Sequence, residues 1–133
     1  MEEITVHVET DISPTESEEK VKSAVVNIFG NVSMETKPSY KGSVLRAEAK
    51  GQQALVKLRD LLRAERIRGA ARKALFRGIQ GKTIGFCLNK QVAFAGHVSF
   101  SEEVGESPLG PLRVTVECEN PRELVDWLAP RTA

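Results

Sequence analysis

The sequence predicts an α+β fold: a mainly antiparallel sheet with helices packed on one face, in the element order βαββααβββα. Three observations carry this. Apolar and polar residues alternate over short segments at both ends of the chain, as at Ile4, Val6 and Val8 and again at Leu112, Val114 and Val116. Between these ends, residues 13–29 and 52–76 carry apolar residues at helical spacing. Neighbouring strand segments are joined by short turns, which favours antiparallel pairing. The 133 residues suit a single domain over 1–133, long enough to bury a core without a disulfide or metal staple.

Each element has a local reason. Residues 4–10 place Ile4, Val6 and Val8 on one face and Thr5, His7 and Glu9 on the other, a half-buried strand. Ser13, Pro14 and Glu16 have the chemistry of a capping box, so a helix is expected from there to about Phe29, with Val21, Ala24, Val25 and Ile28 inward and Gly30 as its stop. Two strands are expected near 31–37 and 43–50, with the turn at Pro38 to Gly42. From Gln52 to Phe76, Leu55, Leu58 and Leu62 share one helical face, whereas Ile67, Ala71, Ala74 and Leu75 share another, which predicts a break between Ala64 and Gly69.

Residues 82–100 read as two strands around a tight turn at Asn89-Lys90, with Ile84, Phe86 and Leu88 alternating before it and Val92, Phe94 and Val98 after it. Residues 101–111, with two glycines, two prolines and several charges, form a loop. Leu112, Val114, Val116 and Cys118 make the last strand, and Asn120-Pro121-Arg122-Glu123 caps a final helix carrying Leu124, Val125 and Leu128.

Composition narrows the function classes. Apolar residues make up 41% and charged residues 28% of the chain, which fits a folded domain rather than a disordered one. Cys87 and Cys118 lie in separate apolar stretches without the clustered ligands of a zinc site, so buried thiols in a reducing compartment are expected. The start of the chain is acidic and no apolar run approaches a membrane span, so a cytoplasmic protein with no membrane partner is expected.

Charge is the strongest signal. The chain has a formal net charge of +1. Between Arg59 and Lys82, however, eight cations stand against Asp60 and Glu65, leaving +6 within 24 residues. Six of the eight are arginines, whose planar fork matches phosphate and stacks on bases. On a regular second helix, Arg66, Lys73 and Arg77 would share a face flanked by Arg68 and Arg72. Such a face meets phosphates and releases counterions. A solvated helix face, or a surface for an acidic protein segment such as Glu16 to Glu19, are the other readings of the same residues.

Several motifs fail on inspection. Gly81-Lys82-Thr83 lacks the upstream glycine of a phosphate-binding loop, because Phe76 holds that place. Gly78-Ile79-Gln80-Gly81 has the form of the KH-domain loop, but a strand rather than a helix is expected after it. Ile84 and Asn89 stand where an RRM strand would carry stacking aromatics. His7 and His97 sit in expected strands on the polar side. Glu102, Glu103 and Glu106, with Ser101 and Ser107, fit a solvated loop as well as a carboxylate site. No catalytic residues, cofactor, metal site or small-molecule substrate follow from these residues, and no enzyme is expected.

The stretch from Leu88 to Phe100 (LNKQVAFAGHVSF), the segment Glu106-Ser107-Pro108-Leu109-Gly110-Pro111-Leu112, and Arg77-Gly78-Ile79 upstream resemble archaeal uncharacterised protein family 0201, a set of predicted RNA-binding proteins. The resemblance implies a fold similar to the ribosomal large-subunit protein that contacts 5S ribosomal RNA. It also implies a homodimer, and brings no catalytic residues.

Together these readings predict a protein that recognises structured RNA mainly through phosphates. The candidate contacts are Arg63, Arg66, Arg68, Arg72, Lys73, Arg77, Lys82 and Lys90, the last as a donor at a hairpin tip. The alternative is a dimeric protein-interaction or scaffold domain that binds no nucleic acid.

Overall fold

The computed structural model describes residues 3–40, 42–101 and 110–131. One antiparallel sheet organises them. Its strands are β1 (Thr5–Ile12), β2 (Ser33–Ser39), β3 (Gly42–Lys50), β4 (Ile79–Gln80), β5 (Thr83–Leu88), β6 (Phe100–Ser101) and β7 (Leu112–Glu117). They run in the order β2-β3-β1-β7-β5-β4, with β6 also on β5. The helices are α1 (Glu18–Phe29), α2 (Val56–Ala64), α3 (Arg68–Arg77), α4 (Lys90–Phe94) and α5 (Pro121–Leu128), with a 3-10 turn over Gln52–Leu55 leading into α2. The α+β class and the order of the main elements follow the sequence pattern.

Strand alternation decides the layers. Val6 and Val8 on β1, Leu45 and Ala47 on β3, Ile84 and Leu88 on β5, and Val114 and Val116 on β7 are buried on one face. Helices cover that face: Val25 and Ile28 of α1, Leu58 and Leu62 of α2, Ala71 and Leu75 of α3, and Leu124 and Leu128 of α5 join the same core. Each of these eight side chains is fully buried. The opposite face stays polar. Across it Glu35, Arg46, Glu9 and Arg113 stand opposite one another on four adjacent strands. Arg46 Nε donates to Glu9 Oε2 at 2.8 Å, and Arg113 Nη2 approaches Glu9 Oε1 at 3.3 Å. His7 lies on this face between Glu48 and Glu117, at 3.5 and 3.6 Å.

Four details differ from the sequence expectation. First, α1 starts one turn later than Ser13. Ser17 caps it, accepting from Lys20 N, while Ser13 and Glu16 close a turn through Glu16 N–H to Ser13 O and Ser13 N–H to Glu16 Oε1. That turn carries the Glu16 carboxylate inward, where a helical start at Ser13 would not. Second, β2 extends through Pro38, which pairs with Ser43. Proline is tolerated there because β2 is an edge strand.

Third, the hairpin expected over 82–100 is interrupted. Asn89 accepts from Val92 N at 3.0 Å and starts the short helix α4, so Ala93 is buried and Phe94 is turned outward. Asn27 of α1 donates to the carbonyls of Ala93 and Phe94, both at 3.0 Å, and satisfies the end of that helix. The second strand shrinks to Phe100–Ser101, and His97 lies in the connection before it. Fourth, Lys90 is not at an exposed tip. Its side chain is 4% exposed and its Nζ lies 3.2 Å from Glu16 Oε2, donating also to Asp11 O. The cap at Asn89 turns the chain inward there, and the Ser13–Glu16 turn supplies the counter-charge.

The break between Ala64 and Gly69 is present. α2 ends at an elbow where Arg66 takes a left-handed conformation, φ 58°. Glu65 holds that elbow, accepting from Val98 N and meeting His97 Nδ1 at 3.0 Å. Of the loop expected over 101–111, residues 102–109 lie outside the described residues. Its last residue, Pro111, is buried and accepts a hydrogen bond from Thr10 Oγ1.

Candidate functional site

The elbow sets α3 alongside α5, with Arg72 near Asp126 and Ala129 and Phe76 near Arg122, and a groove lies between the two helices. Around α3, Ala71 and Leu75 face the core. At 100° per residue, Lys73 and Arg77 then stand on the opposite side, with Arg72 and Phe76 on the flank that meets α5. The groove between α3 and α5 has a volume of about 1030 Å³, and five cations line it: Arg72, Lys73, Arg77, Arg122 and Arg131. Asp126 is the one carboxylate among its lining residues.

Two arginines of the basic stretch work as clamps. Arg72 Nη2 meets Asp126 Oδ1 at 2.7 Å, and Arg72 Nη1 donates to Ala129 O, while its guanidinium stacks 4.8 Å from the Phe76 ring. Arg59 makes the equivalent tie from α2: its Nε donates to Trp127 O and its guanidinium lies 4.9 Å from the Trp127 ring. Both are half-buried and fix α5 rather than face a ligand. Arg122 approaches Phe76 as well, at 5.8 Å. Two guanidinium groups thus lie within 6 Å of the Phe76 ring centre, each contact contributing about 0.5–1 kcal/mol at such exposure.

Lys73, Arg77, Arg122 and Arg131 make no ion pair with a described residue. Four cations held in one concave space repel one another, and the groove is relieved by an anion that spans several of them. Arginine forks and a mobile lysine on preformed helices suit phosphate oxygens. Among the described residues no cluster of three or more His, Cys, Asp or Glu could hold a metal ion. Among the described residues no helix is long and apolar enough to cross a membrane.

The model of the family described as RNA binding matches residues 5–118. A UPF0201 protein of Saccharolobus solfataricus is 42% identical over 130 residues, covering 98% of this chain and 90% of that protein. The chain belongs to the UPF0201 family. A UPF0201 protein of Pyrobaculum arsenaticum is 44% identical over 128 residues, covering 96% of this chain and 90% of its own. The crystal structure of the UPF0201 protein from Methanococcus jannaschii superposes with a TM-score of 0.83 at 28% identity, over 97% of this chain and 100% of that one. The sheet and helix arrangement described above is thus that of an experimentally determined UPF0201 structure.

Within this UPF0201 fold the eight cations singled out from the sequence are dispersed. Arg72, Lys73 and Arg77 meet in the groove. Arg63 and Arg66 are exposed and Arg68 half-buried around the α2–α3 elbow, so Arg66 is off the α3 face that a continuous helix would have given it. Lys82 is at the exposed β4–β5 turn, 3.0 Å from Glu119. Lys90 is inside. The groove's other half, Arg122 and Arg131 with Phe76 between the helices, was not selected from the sequence. The signal available was the polar face of α5, where Arg122 and Asp126 fall four residues apart.

Proposed function

We propose that this protein binds structured RNA through the groove between α3 and α5, with Lys73, Arg77, Arg122 and Arg131 on backbone phosphates and no chemistry performed on the bound RNA. The observation that carries the reading is the convergence of these four cations, none paired with a described carboxylate, in a groove whose described lining holds one acidic residue. The match of residues 5–118 to an RNA-binding family model supports the same ligand class. Aromatic residues are 5% of the chain, and Phe76 already lies against Arg72 and Arg122, so recognition rests on phosphates and shape rather than on base stacking. Arg72 serves this surface from behind by holding α5 in place.

Fluorescence anisotropy with a labelled RNA hairpin, across a salt series, tests the reading. The wild-type protein should bind with an affinity that falls steeply with salt. Lys73→Glu/Arg77→Glu/Arg122→Glu should flatten the salt slope by about three units, one for each phosphate contact removed. No binding by the wild-type protein at low salt, or equal binding by the triple variant, would refute it.

A further inference from the structure

The groove toward α5 is one of two. On the other flank of α3, a second groove of about 670 Å³ lies between the helix and strands β5, β6 and β7. Lys73 and Arg77 border both grooves. The second is lined further by Ala70 and Ala74 of α3, and by Arg113 and Thr115 of β7. Helical geometry explains the sharing. With Ala71 and Leu75 buried, Lys73 and Arg77 form the crest, Arg72 and Phe76 descend one side, and Ala70 and Ala74 descend the other.

The second groove has its own character. Its described lining residues include no carboxylate, and Gly85 leaves the β5 position beneath it without a side chain. The small residues at 70, 74 and 85 keep it open, and the hydroxyl of Thr115 stands exposed at its floor. Lys73 and Arg77 on the crest, with the hydroxyl of Thr115 beside them, suit a sugar–phosphate chain carrying 2′-hydroxyls, while Arg113 is held by Glu9 and Asp11.

A single backbone needs one such groove. Two grooves sharing a cationic crest match two backbones that run on either side of a helix about 10–12 Å across. In an RNA duplex the minor groove is wide and shallow and displays 2′-hydroxyls, whereas the major groove is too deep and narrow for a side chain to read. We propose that α3 is a ridge laid on the minor groove of double-stranded RNA, with one strand's phosphates in the α3–α5 groove and the other strand's in the α3–sheet groove. This rests on the RNA-binding reading above and adds the duplex and the second contact site.

The experiment compares a blunt RNA duplex with one of its component single strands, by anisotropy at fixed low salt, for four proteins: wild type, Ala70→Glu, Ala70→Gln and Thr115→Lys. Residues 70 and 115 are exposed and neither lines the α3–α5 groove, and glutamate and glutamine are good helix formers, so the variants keep the fold. Ala70→Glu should weaken duplex binding about tenfold, change single-strand binding less than twofold, and differ from Ala70→Gln by the effect of charge alone. Thr115→Lys should tighten duplex binding severalfold and steepen its salt slope by about one unit. If Ala70→Glu leaves the duplex unaffected, or weakens both RNAs equally, the second strand site is overturned while the α3–α5 groove stands. If the wild-type protein binds neither RNA, the RNA-binding reading itself fails and the duplex site falls with it.

Discussion

Arg72 of α3 and Asp126 of α5 meet at 2.7 Å at the edge of the groove, and the arginine is only 18% exposed. The pair ties the two helices that form the groove, and it leaves an exposed carboxylate at the groove's edge.

Asp126→Asn separates these two effects. The carboxylate is 61% exposed, so losing its charge should cost under about 1 kcal/mol of stability, read by urea unfolding. RNA affinity at low salt should rise about threefold, because the groove's described lining loses its carboxylate charge. An affinity loss would mean that the clamp's geometry matters more than its charge.

Lys90→Met tests the buried pair under α4. Glu16 is 9% exposed and would be left as an uncompensated carboxylate, for a loss of about 3–5 kcal/mol. Adding Glu16→Leu should recover much of that loss by removing the stranded charge. Equal stability of wild type and Lys90→Met in chemical denaturation would contradict the buried pairing.

Gly78→Ala and Gly85→Ala differ in outcome although the residues face each other. A Cβ at Gly78 would overlap the Gly85 carbonyl oxygen, where β4 leaves α3, whereas a Cβ at Gly85 meets nothing closer than Gly78 O at 4.0 Å. The first substitution should lower stability by about 2 kcal/mol or more and the second by less than about 1 kcal/mol. Thermal melts of the two variants, compared with wild type, read the difference.

The hydrogen bond from Arg46 holds the Glu9 carboxyl below its ordinary value near 4.5; burial opposes this, and Arg113 adds to it. A carboxylate with a lowered pKa in the folded state stabilises the fold above its unfolded pKa, and that stability is lost as pH falls through the folded value. Arg46→Ala should therefore move the Glu9 titration upward, toward the ordinary value, in a carbon-detected NMR titration. It should also reduce the part of the protein's stability that disappears on acidification. An unmoved Glu9 would show that the ladder across the four strands is too solvated to matter.

The fold was largely legible because its core follows simple periods. Ile84 and Leu88 alternate, Leu58 and Leu62 recur at helical spacing, and both patterns match their burial. The misreading at 89–98 has a physical source. Asn89 satisfies a turn and a helix cap equally well, and Val92 and Phe94 imitate strand alternation over too few residues to decide. What settles it is distant: Asn27 satisfies the α4 carbonyls, and Glu16 receives Lys90. The candidate site was legible by half. The excess charge near α3 is local in sequence, but Arg72 and Lys73 are adjacent residues with different tasks, separated only by helical rotation and by what α5 brings. Arg122 enters the groove from 45 positions beyond Arg77, through packing that no local pattern encodes.

The most direct test of the account is to locate the surface itself. Isotope-labelled protein titrated with an RNA hairpin should show amide shift changes concentrated at residues 69–77 and 122–131, the two sides of the α3–α5 groove. Changes centred elsewhere, for example on the β2 edge or around α4, or no changes at RNA concentrations that saturate binding, would contradict it.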